Sequence, residues 1–413
     1  MSLTVRTSHL DDDRPLLDLP PVADALAWVR RGEGLVAWGT AVRVDPGAGA
    51  DRFDRADEAL QALAADAVVD DEVGAFGSGL VAVGSFAFHD GVPGSALVVP
   101  RVVVGRRDGA TWCTTIDPDD APPVAGPRAD PPPEARRDRP RYAGSTNPDV
   151  HWLDAVATAV ERIRAGELDK VVLARDHAVW SREPFDPLDL ARRLTARFPR
   201  CHTFVVEGLV GATPELLLGR RGDEVVSRAL AGTVGRSDDE VEDATLGAQL
   251  LASEKDRWEH QLAAESVEQV LAAHCTSLEH ERAPRLLRLD NVQHLATTYR
   301  GRLTSGASSL ALAGALHPTA AVGGTPRDRA IAMIRELEGM DRGRYAAPIG
   351  WTDAAGDGEW GIALRCAELA GARARLFAGV GVVAGSLPEA ELEETRLKLL
   401  AMQAALGEDP ADL

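Results

Sequence analysis

A proline-rich stretch at residues 116–147 constrains the fold most strongly, because its proline density prevents a continuous helix or strand. It is the one strong internal boundary in the sequence, and we expect a linker or a long surface loop. The chain then divides into a flexible N-terminal segment at 1–20, a sheet-rich part at 21–115 and a second part at 148–405. Its length allows one large domain or two ordinary ones.

Hydrophobic patterns differ on the two sides of this stretch. Before it, short alternating apolar runs such as GLVAVGSFAF and ALVVPRVVVGRR predict antiparallel strands, with one helix near 55–66. After it, strands such as KVVLARDHAVW alternate with helices predicted at about 253–273, 327–338 and 388–405. The sequence therefore predicts sheets packed against helices throughout.

Composition excludes several classes of partner. A formal net charge of −19 repels phosphate backbones and anionic membranes, so neither nucleic acid nor a membrane is expected as a partner. No apolar run reaches the length of a signal peptide or a membrane span. The cysteines lie far apart without zinc-site spacing, which indicates reduced thiols in a cytoplasmic protein: Cys113, Cys201, Cys275 and Cys366.

Two predicted helices carry carboxylates at the same spacing. Asp256 and Glu259 lie three residues apart on one helix, and Glu391 and Glu394 repeat that spacing on another. Clustered carboxylates repel one another unless a cation neutralises them, and an all-oxygen set suits Mg²⁺. From spacing alone, the alternative that they lie on solvated faces of acidic helices stays open and is the commoner case.

Lys170 and Glu215 are candidates for acid–base chemistry. Lys170 begins an apolar strand in a chain that has only three lysines, and burial favours the neutral amine that a general base needs. A lysine that extends from a strand end into solvent is an equally good interpretation. Glu215 precedes another apolar strand, where partial burial would raise its pKa and suit it to donate a proton.

The segment FAGVGVVAGS brings glycines to a predicted strand that leads into a helix. Gly379, Gly381 and Gly385 let the backbone approach a ligand closely. Their GxGxxxG spacing is not the dinucleotide GxGxxG, so a nicotinamide or flavin site is not expected. Three histidines lack metal-ligand spacing and are assigned no direct chemistry: His260, His294 and His317.

Taken together, eight segments resemble the chorismate-utilising enzymes, a family of isochorismate synthases, salicylate synthases and the large subunits of anthranilate and aminodeoxychorismate synthases. The resemblance is strong over 150–403. It rests on LDKVVLARD, GATPELLLGR, ALAGTVGR, SEKDRWEHQL, VQHLATT, LHPTAAVGGTP, GEWGIALRCAEL and FAGVGVVAGSLPEAELEETRLKL. It implies an α+β fold of large antiparallel sheets layered with helices in a single domain, with the proline-rich stretch on the surface.

The resemblance also implies a metal site. It makes Glu259 and Glu394 direct ligands of Mg²⁺, with Asp256 and Glu391 binding the metal through water. These are the same four residues that helical spacing brings together. The metal would bind the ring carboxylate of chorismate and stabilise charge in the transition state.

For catalysis, the resemblance implies that Lys170 activates a water for attack at ring carbon C2. Glu215 then protonates the hydroxyl that leaves C4. Arg365, with Lys398, would bind the enolpyruvyl carboxylate, while Gly232 and Thr233 would contact the C4 hydroxyl region. The full set of expected substrate-binding residues is Gly232, Thr233, Ala321, Tyr345, Arg365, Gly379, Gly381 and Lys398.

The expected function is therefore that of an isochorismate synthase, an isomerase serving menaquinone or siderophore biosynthesis. Family members that use ammonia lack the water-activating lysine, whereas this chain has Lys170, so we expect no glutamine amidotransferase subunit. The aminodeoxychorismate type has a nucleophilic lysine where this chain has Ala231. Salicylate synthase and a non-catalytic chorismate-binding relative remain as alternatives, and we expect a monomer.

Overall fold

The computed structural model describes residues 2–119, 121–132, 139–290, 292–304 and 306–407. Strands cover Leu3–His9 (β1), Leu26–Arg30 (β2), Glu33–Val44 (β3), Val68–Asp71 (β4), Val81–Ser85 (β5), Ala96–Arg107 (β6), Ala110–Pro118 (β7), Arg141–Gly144 (β8), Lys170–Trp180 (β9), His202–Val206 (β10), Leu209–Thr213 (β11), Leu216–Arg221 (β12), Glu224–Gly235 (β13), Cys275–His280 (β14), Arg285–Arg288 (β15), Val292–Leu303 (β16), Gly324–Thr325 (β17), Pro348–Asp353 (β18), Gly358–Ile362 (β19), Cys366–Ala370 (β20) and Arg373–Val382 (β21). Helices cover Arg52–Ala65 (α1), Asp149–Arg164 (α2), Pro187–Arg197 (α3), Glu240–Ala252 (α4), Glu254–His274 (α5), Ser309–Leu316 (α6), Arg327–Leu337 (α7) and Pro388–Leu406 (α8).

These strands pair into two large antiparallel runs that meet at β6. One run follows β9, β21, β20, β11, β10, β2, β3, β6, β7, β1 and β4. The other follows β6, β5, β18, β19, β12, β13 and β16. Within the described residues every pairing is antiparallel except that between β1 and β4. The expected α+β class, large antiparallel sheets layered with helices, is confirmed.

Two apolar cores hold the helices on these sheets. The larger core contains buried side chains of α1, α2, α5, α6 and α7 with the inner faces of β5, β18 and β19. The smaller core joins α3 and α8 to β11 and β21. Burial of these apolar faces contributes roughly 25 cal/mol for each Å² removed from water. The helices that carry the predicted carboxylates, α5 and α8, are therefore each fixed on a sheet by their apolar faces.

Helix boundaries follow local sequence signals. The α5 helix begins after Ser253, whose side-chain oxygen accepts a hydrogen bond from the Asp256 amide at 3.2 Å. The α8 helix has Pro388 at its first position and ends at Gly407, which adopts a left-handed φ of +90°. Both helices lie within one residue of their predicted bounds. No helix among the described residues has the length and apolar character needed to cross a bilayer.

The N-terminal segment differs from the expectation that residues 1–20 are flexible. Residues 3–9 form β1, which is hydrogen-bonded to β7 on one side and to β4 on the other. Leu3 and Val5 are fully buried in the larger core. The expectation failed because the apolar run in LTVRTSH is too short to stand out in the sequence. As a strand, it nevertheless buries alternate side chains, at Leu3, Val5 and Thr7.

The proline-rich stretch lies against the sheet instead of separating two bodies of structure. Strand β7 extends to Pro118, and β8 starts at Arg141 and pairs with β9. Between them, the indole nitrogen of Trp38 donates to the Ala125 carbonyl at 2.7 Å, and the Arg128 amide donates to the Leu19 carbonyl at 2.7 Å. Residues 120 and 133–138 of this stretch lie outside the described residues.

Candidate active site

A pocket of about 740 Å³ lies where β9 and β21, β13, α5 and α8 come together. Eleven of the fourteen site residues predicted from sequence line it: Glu215, Gly232, Thr233, Glu259, Ala321, Tyr345, Arg365, Gly379, Gly381, Glu394 and Lys398. The other three do not line it: Lys170, Asp256 and Glu391. These fourteen residues lie between positions 170 and 398, so the fold brings one site together from most of the second part of the chain.

Lys170 lies fully buried behind the wall of the pocket. Its Nζ is 3.1 Å from Oε1 of Glu259, whose side chain is 13 % exposed and faces the pocket. Gly381 makes this pair possible, because a Cβ at that position would lie 2.0 Å from Glu259 Oε1 and 2.9 Å from Lys170 Cε. No residue with a side chain fits at position 381 without displacing the pair.

Glu394 and Lys398 form a second ion pair within one helix. Their side chains lie one turn apart on α8, with Lys398 Nζ 2.7 Å from Glu394 Oε1. The same ammonium donates to the Gly379 carbonyl at 2.9 Å, which leaves one of its three N–H groups for a ligand. Burial alone would raise the pKa of Glu394, but Lys398, Lys255 and Arg365 outweigh it and lower that pKa, so the carboxylate is charged.

Glu391 and Asp256 lie beside the pocket. Glu391 is 2 % exposed and accepts a hydrogen bond from Lys255 Nζ at 2.8 Å, and its burial raises its pKa in spite of that partner. Asp256 is in the first turn of α5 and packs against Gly232. A Cβ added at Gly232 would lie 3.2 Å from the Cβ of Asp256. Among the described residues no three His, Cys, Asp or Glu side chains form a ready cluster of metal ligands.

Glu215 is buried at the turn between β11 and β12. Burial raises its pKa to about 8, and the charges of Lys170 and Lys398 and the Leu230 amide reduce this effect only in part. Its own amide donates to the Thr213 hydroxyl at 3.2 Å, which fixes the turn. At neutral pH this carboxyl group is mostly protonated, so it can donate a proton into the pocket.

Arg365 and Tyr345 form another part of the wall. Within the described part of the chain the Arg365 guanidinium has no hydrogen bond or ion pair, although it lines the pocket. Its backbone has a left-handed φ of +50°, a conformation that costs a non-glycine residue about 1 kcal/mol or more. The Tyr345 ring stacks on Phe377 with centroids 5.0 Å apart. The unpartnered cation can therefore bind an anion that enters the pocket.

His294 is a pocket residue that sequence reasoning missed. Its register partner across β13 and β16 is Thr233, whose hydroxyl oxygen is 3.0 Å from His294 Nδ1. Burial, with smaller effects of Arg365 and Lys398, lowers the pKa of His294 to about 3, so the ring is neutral. Its Nε2 has no partner among the described residues. Only the cross-strand register, which sequence does not show, brings it into the site.

Arg342 was also missed. It is fully buried, lines the pocket and forms an ion pair with Glu338 one turn away. It donates to the Val172 carbonyl at 2.7 Å and to the Val322 carbonyl at 2.9 Å. It thereby ties β9 to the segment that supplies Ala321, a role that depends on tertiary contacts alone.

Comparison with known proteins identifies the family of this chain. The family model described as chorismate binding enzyme matches residues 26–407. The chain belongs to this family. Isochorismate synthase DhbC of Bacillus subtilis is 42 % identical over 270 residues, which span 62 % of this chain and 68 % of DhbC. The salicylate biosynthesis isochorismate synthase of Pseudomonas aeruginosa is 45 % identical over 260 residues, which span 62 % of this chain and 54 % of that protein.

Among solved structures of chorismate-binding enzymes, MenF from Escherichia coli, a menaquinone-specific isochorismate synthase, matches with a TM-score of 0.82. The two chains are 26 % identical, and the match covers 98 % of this chain and 94 % of MenF. The similarity therefore includes the first, sheet-rich part of the chain, where the sequence resemblance is weak.

Proposed function

We propose that this protein is an isochorismate synthase, which converts chorismate to isochorismate. The observation that carries the proposal is the pairing of a protonated acid with a buried amine at one pocket. Glu215 has a pKa near 8, and Lys170 lies at the back of the same pocket behind Glu259. An isomerisation that moves a hydroxyl group needs both an acid for the departing oxygen and a base for the incoming water. The names of the relatives support the same activity.

In this proposal Lys170 takes a proton from the water that attacks ring carbon C2. Glu215 gives its proton to the hydroxyl that leaves C4, and the ring double bonds shift between the two carbons. Water enters and water leaves, so the reaction needs no further reactant. Since water is the nucleophile, the protein needs no glutamine amidotransferase subunit, and we propose that it acts as a monomer.

Arg365 and Lys398 bind the enolpyruvyl carboxylate of the substrate. Arg365 has no anionic partner among the described residues, and Lys398 has one N–H beyond those that bind Glu394 and Gly379. Charge-assisted hydrogen bonds from such donors are about twice as strong as neutral ones. Thr233, held by His294 at 3.0 Å, contacts the C4 hydroxyl region together with Gly232.

Magnesium is the cofactor that fits this donor set. Glu259 and Glu394 both face the pocket, and Asp256 and Glu391 lie one helical turn before them to bind the ion through water. Mg²⁺ commonly uses one or two protein carboxylates and completes its shell with water and substrate oxygens, so Glu259 and Glu394 can supply its protein ligands. When bound, the ion would neutralise the ring carboxylate and stabilise negative charge in the transition state.

A cytoplasmic location and a role in menaquinone or siderophore biosynthesis complete the proposal. All four cysteines are free, with Cys201 and Cys366 buried, as expected for a protein kept in a reducing compartment. Printed names of relatives include a menaquinone-specific enzyme and one of salicylate biosynthesis, so the product isochorismate is common to several routes.

The deciding experiment incubates purified protein with chorismate, with and without Mg²⁺, and separates isochorismate, salicylate and pyruvate by chromatography. We expect isochorismate without pyruvate, and only when Mg²⁺ is present. Salicylate with an equal amount of pyruvate would replace the proposal with a salicylate synthase. No turnover under any condition would leave a chorismate-binding protein without activity.

A further inference from the structure

A second cavity, of about 1010 Å³ and partly open to solvent, lies between α1, α6 and α7. We call it the α1–α7 cavity. None of its lining residues belongs to the active-site pocket or to the predicted site. Both α1, which begins at Arg52, and α7, which begins at Arg327, start at its wall. The exposed amides at the start of a helix favour a negative charge.

Arg52 lines this cavity as a buried cation without an anionic partner. The residue is 4 % exposed, and its two terminal nitrogens donate to the carbonyls of Gly49 and Ala87, each at 3.1 Å. Its Nε has no acceptor among the described residues, and no ion pair neutralises the charge. Hydrogen bonds to neutral carbonyls offset only part of the free energy needed to remove a guanidinium from water. This position therefore favours an anionic ligand.

Two further groups complete a donor set for one small anion. His89 is 9 % exposed, and its Nδ1 has no partner in the described structure. Burial, helped by Arg342 and Arg335, lowers the pKa of His89 to about 4, so at neutral pH it is an uncharged group that can donate one hydrogen bond. Arg327 is exposed and lines the cavity, and within the described residues its guanidinium donates one hydrogen bond, to the Ala315 carbonyl at 3.3 Å.

The local charge is positive within an acidic protein. Three arginines and two aspartates line the cavity, and one of those arginines, Arg335, pairs with Asp90 at 2.9 Å. With Asp328 as the second aspartate, the three arginines exceed the two aspartates by one positive charge. This excess fits a ligand with a single negative charge better than it fits a polyanion.

The rest of the wall is apolar and partly aromatic. Phe53 stacks on Phe86 with centroids 4.1 Å apart and lies under the Arg52 guanidinium at 4.8 Å. Phe88 and Ile331 continue this surface. We propose that the α1–α7 cavity binds a small aromatic monocarboxylate, with its carboxylate at Arg52 and Arg327 and its ring against the apolar part of the wall that Phe53, Phe88 and Ile331 form.

This site is joined to the active-site pocket by two short paths. His317, in the wall of the cavity, begins the segment that supplies Ala321 and Val322 to the pocket. The Phe88 ring lies 4.2 Å from the guanidinium carbon of Arg342, which lines the pocket. A ligand in the cavity is therefore expected to change the affinity for chorismate, a consequence that rests on the proposed function.

The binding test does not depend on catalysis. Benzoate, benzamide and inorganic phosphate are titrated by calorimetry into the wild-type protein and three variants. Arg327→Gln removes an arginine that lines the α1–α7 cavity. Ala332→Trp fills that cavity with a large side chain from an exposed position. Arg329→Gln is the control, since Arg329 is an exposed arginine of the same helix that does not line the cavity. All three sites are on the surface, so folding is not at risk as it would be for Arg52.

We expect benzoate to bind wild type and Arg329→Gln equally, to bind Arg327→Gln about tenfold more weakly, and not to bind Ala332→Trp. Benzamide should bind at least tenfold more weakly than benzoate because it lacks the charge. Equal binding of benzoate by all the proteins, equal binding of benzamide, or binding of phosphate alone would overturn the site or its ligand class. A KM for chorismate that saturating benzoate leaves unchanged would overturn the coupling while the binding result stands.

Discussion

Two of the lysine–glutamate pairs at the active-site pocket are built in opposite ways. Lys170 and Glu259 come from β9 and α5, meet at 3.1 Å, and bury the amine completely behind the wall. Lys398 and Glu394 are neighbours on α8, meet at 2.7 Å, and remain partly exposed to the pocket. The first pair keeps the lysine side chain away from bulk water, whereas the second brings a lysine side chain to the wall of the pocket.

The largest expected effect separates the two lysines. Lys170→Ala should lower kcat on the order of 10²-fold or more, because the base is removed. Lys398→Ala removes the same side chain beside the same kind of carboxylate, but it should act mainly by raising KM for chorismate, by about tenfold. Steady-state kinetics on both variants, with circular dichroism to verify folding, measures the contrast. Near-normal kcat in Lys170→Ala would show that the buried pair is structural.

The buried pair can also be disturbed without touching either partner. Gly381→Ala places a methyl group 2.0 Å from Glu259 Oε1, so the glutamate and Lys170 must move, whereas Gly385→Ala meets nothing within 4 Å. A displacement of about 1 Å at reacting groups costs roughly 10²-fold in rate, so we expect kcat/KM to fall by about that factor in the first variant only. Equal activity of the two variants would mean that the geometry of the pair does not matter.

The Mg²⁺ dependence of Glu394→Gln tests the role of Glu394, the acidic partner of Lys398. Loss of one anionic ligand should raise the Mg²⁺ concentration for half-maximal activity by about tenfold. Glu393→Gln is a matched control on the same helix, because Glu393 is exposed and paired with Arg396. Calorimetric titration of Mg²⁺ gives a second measure that is independent of turnover. Identical metal dependence of the two variants would remove Glu394 from the ligand set.

The contrast also explains which parts of the site the sequence can predict. Glu394 and Lys398 are four residues apart on one helix, so their contact follows from helical geometry, and the pair Asp256 and Glu259 follows in the same way. Lys170 and Glu259 are 89 positions apart, and only resemblance to a family connects them before the fold is known. The partnership of Thr233 with His294 depends on strand register, which the local pattern does not determine.

The fold shows the same division between local and tertiary information. Periodicity predicts α5 and α8 to within a residue, because each helix has an apolar face and clear terminal signals. It does not predict that residues 3–9 pair with strands more than 50 positions away. It also does not predict that Arg342 is buried and donates hydrogen bonds to both Val172 and Val322. Local pattern thus decides the elements, whereas packing between distant elements decides the site.

The smallest expected effect concerns stability and depends on Glu215, whose pKa both lysines lower. Lys170 lowers the pKa of that carboxyl more than Lys398 does, yet burial still raises it from 4.5 to about 8. The folded state therefore binds this proton more tightly than the unfolded state, and its contribution to stability is fully present below pH 4.5 and is lost as pH rises through 8. Between pH 6 and pH 9 the Tm of the wild type should fall further than that of Glu215→Gln, which has no proton to lose. Parallel Tm curves, measured by differential scanning calorimetry, would show that Glu215 is ionised already at neutral pH and cannot be the acid.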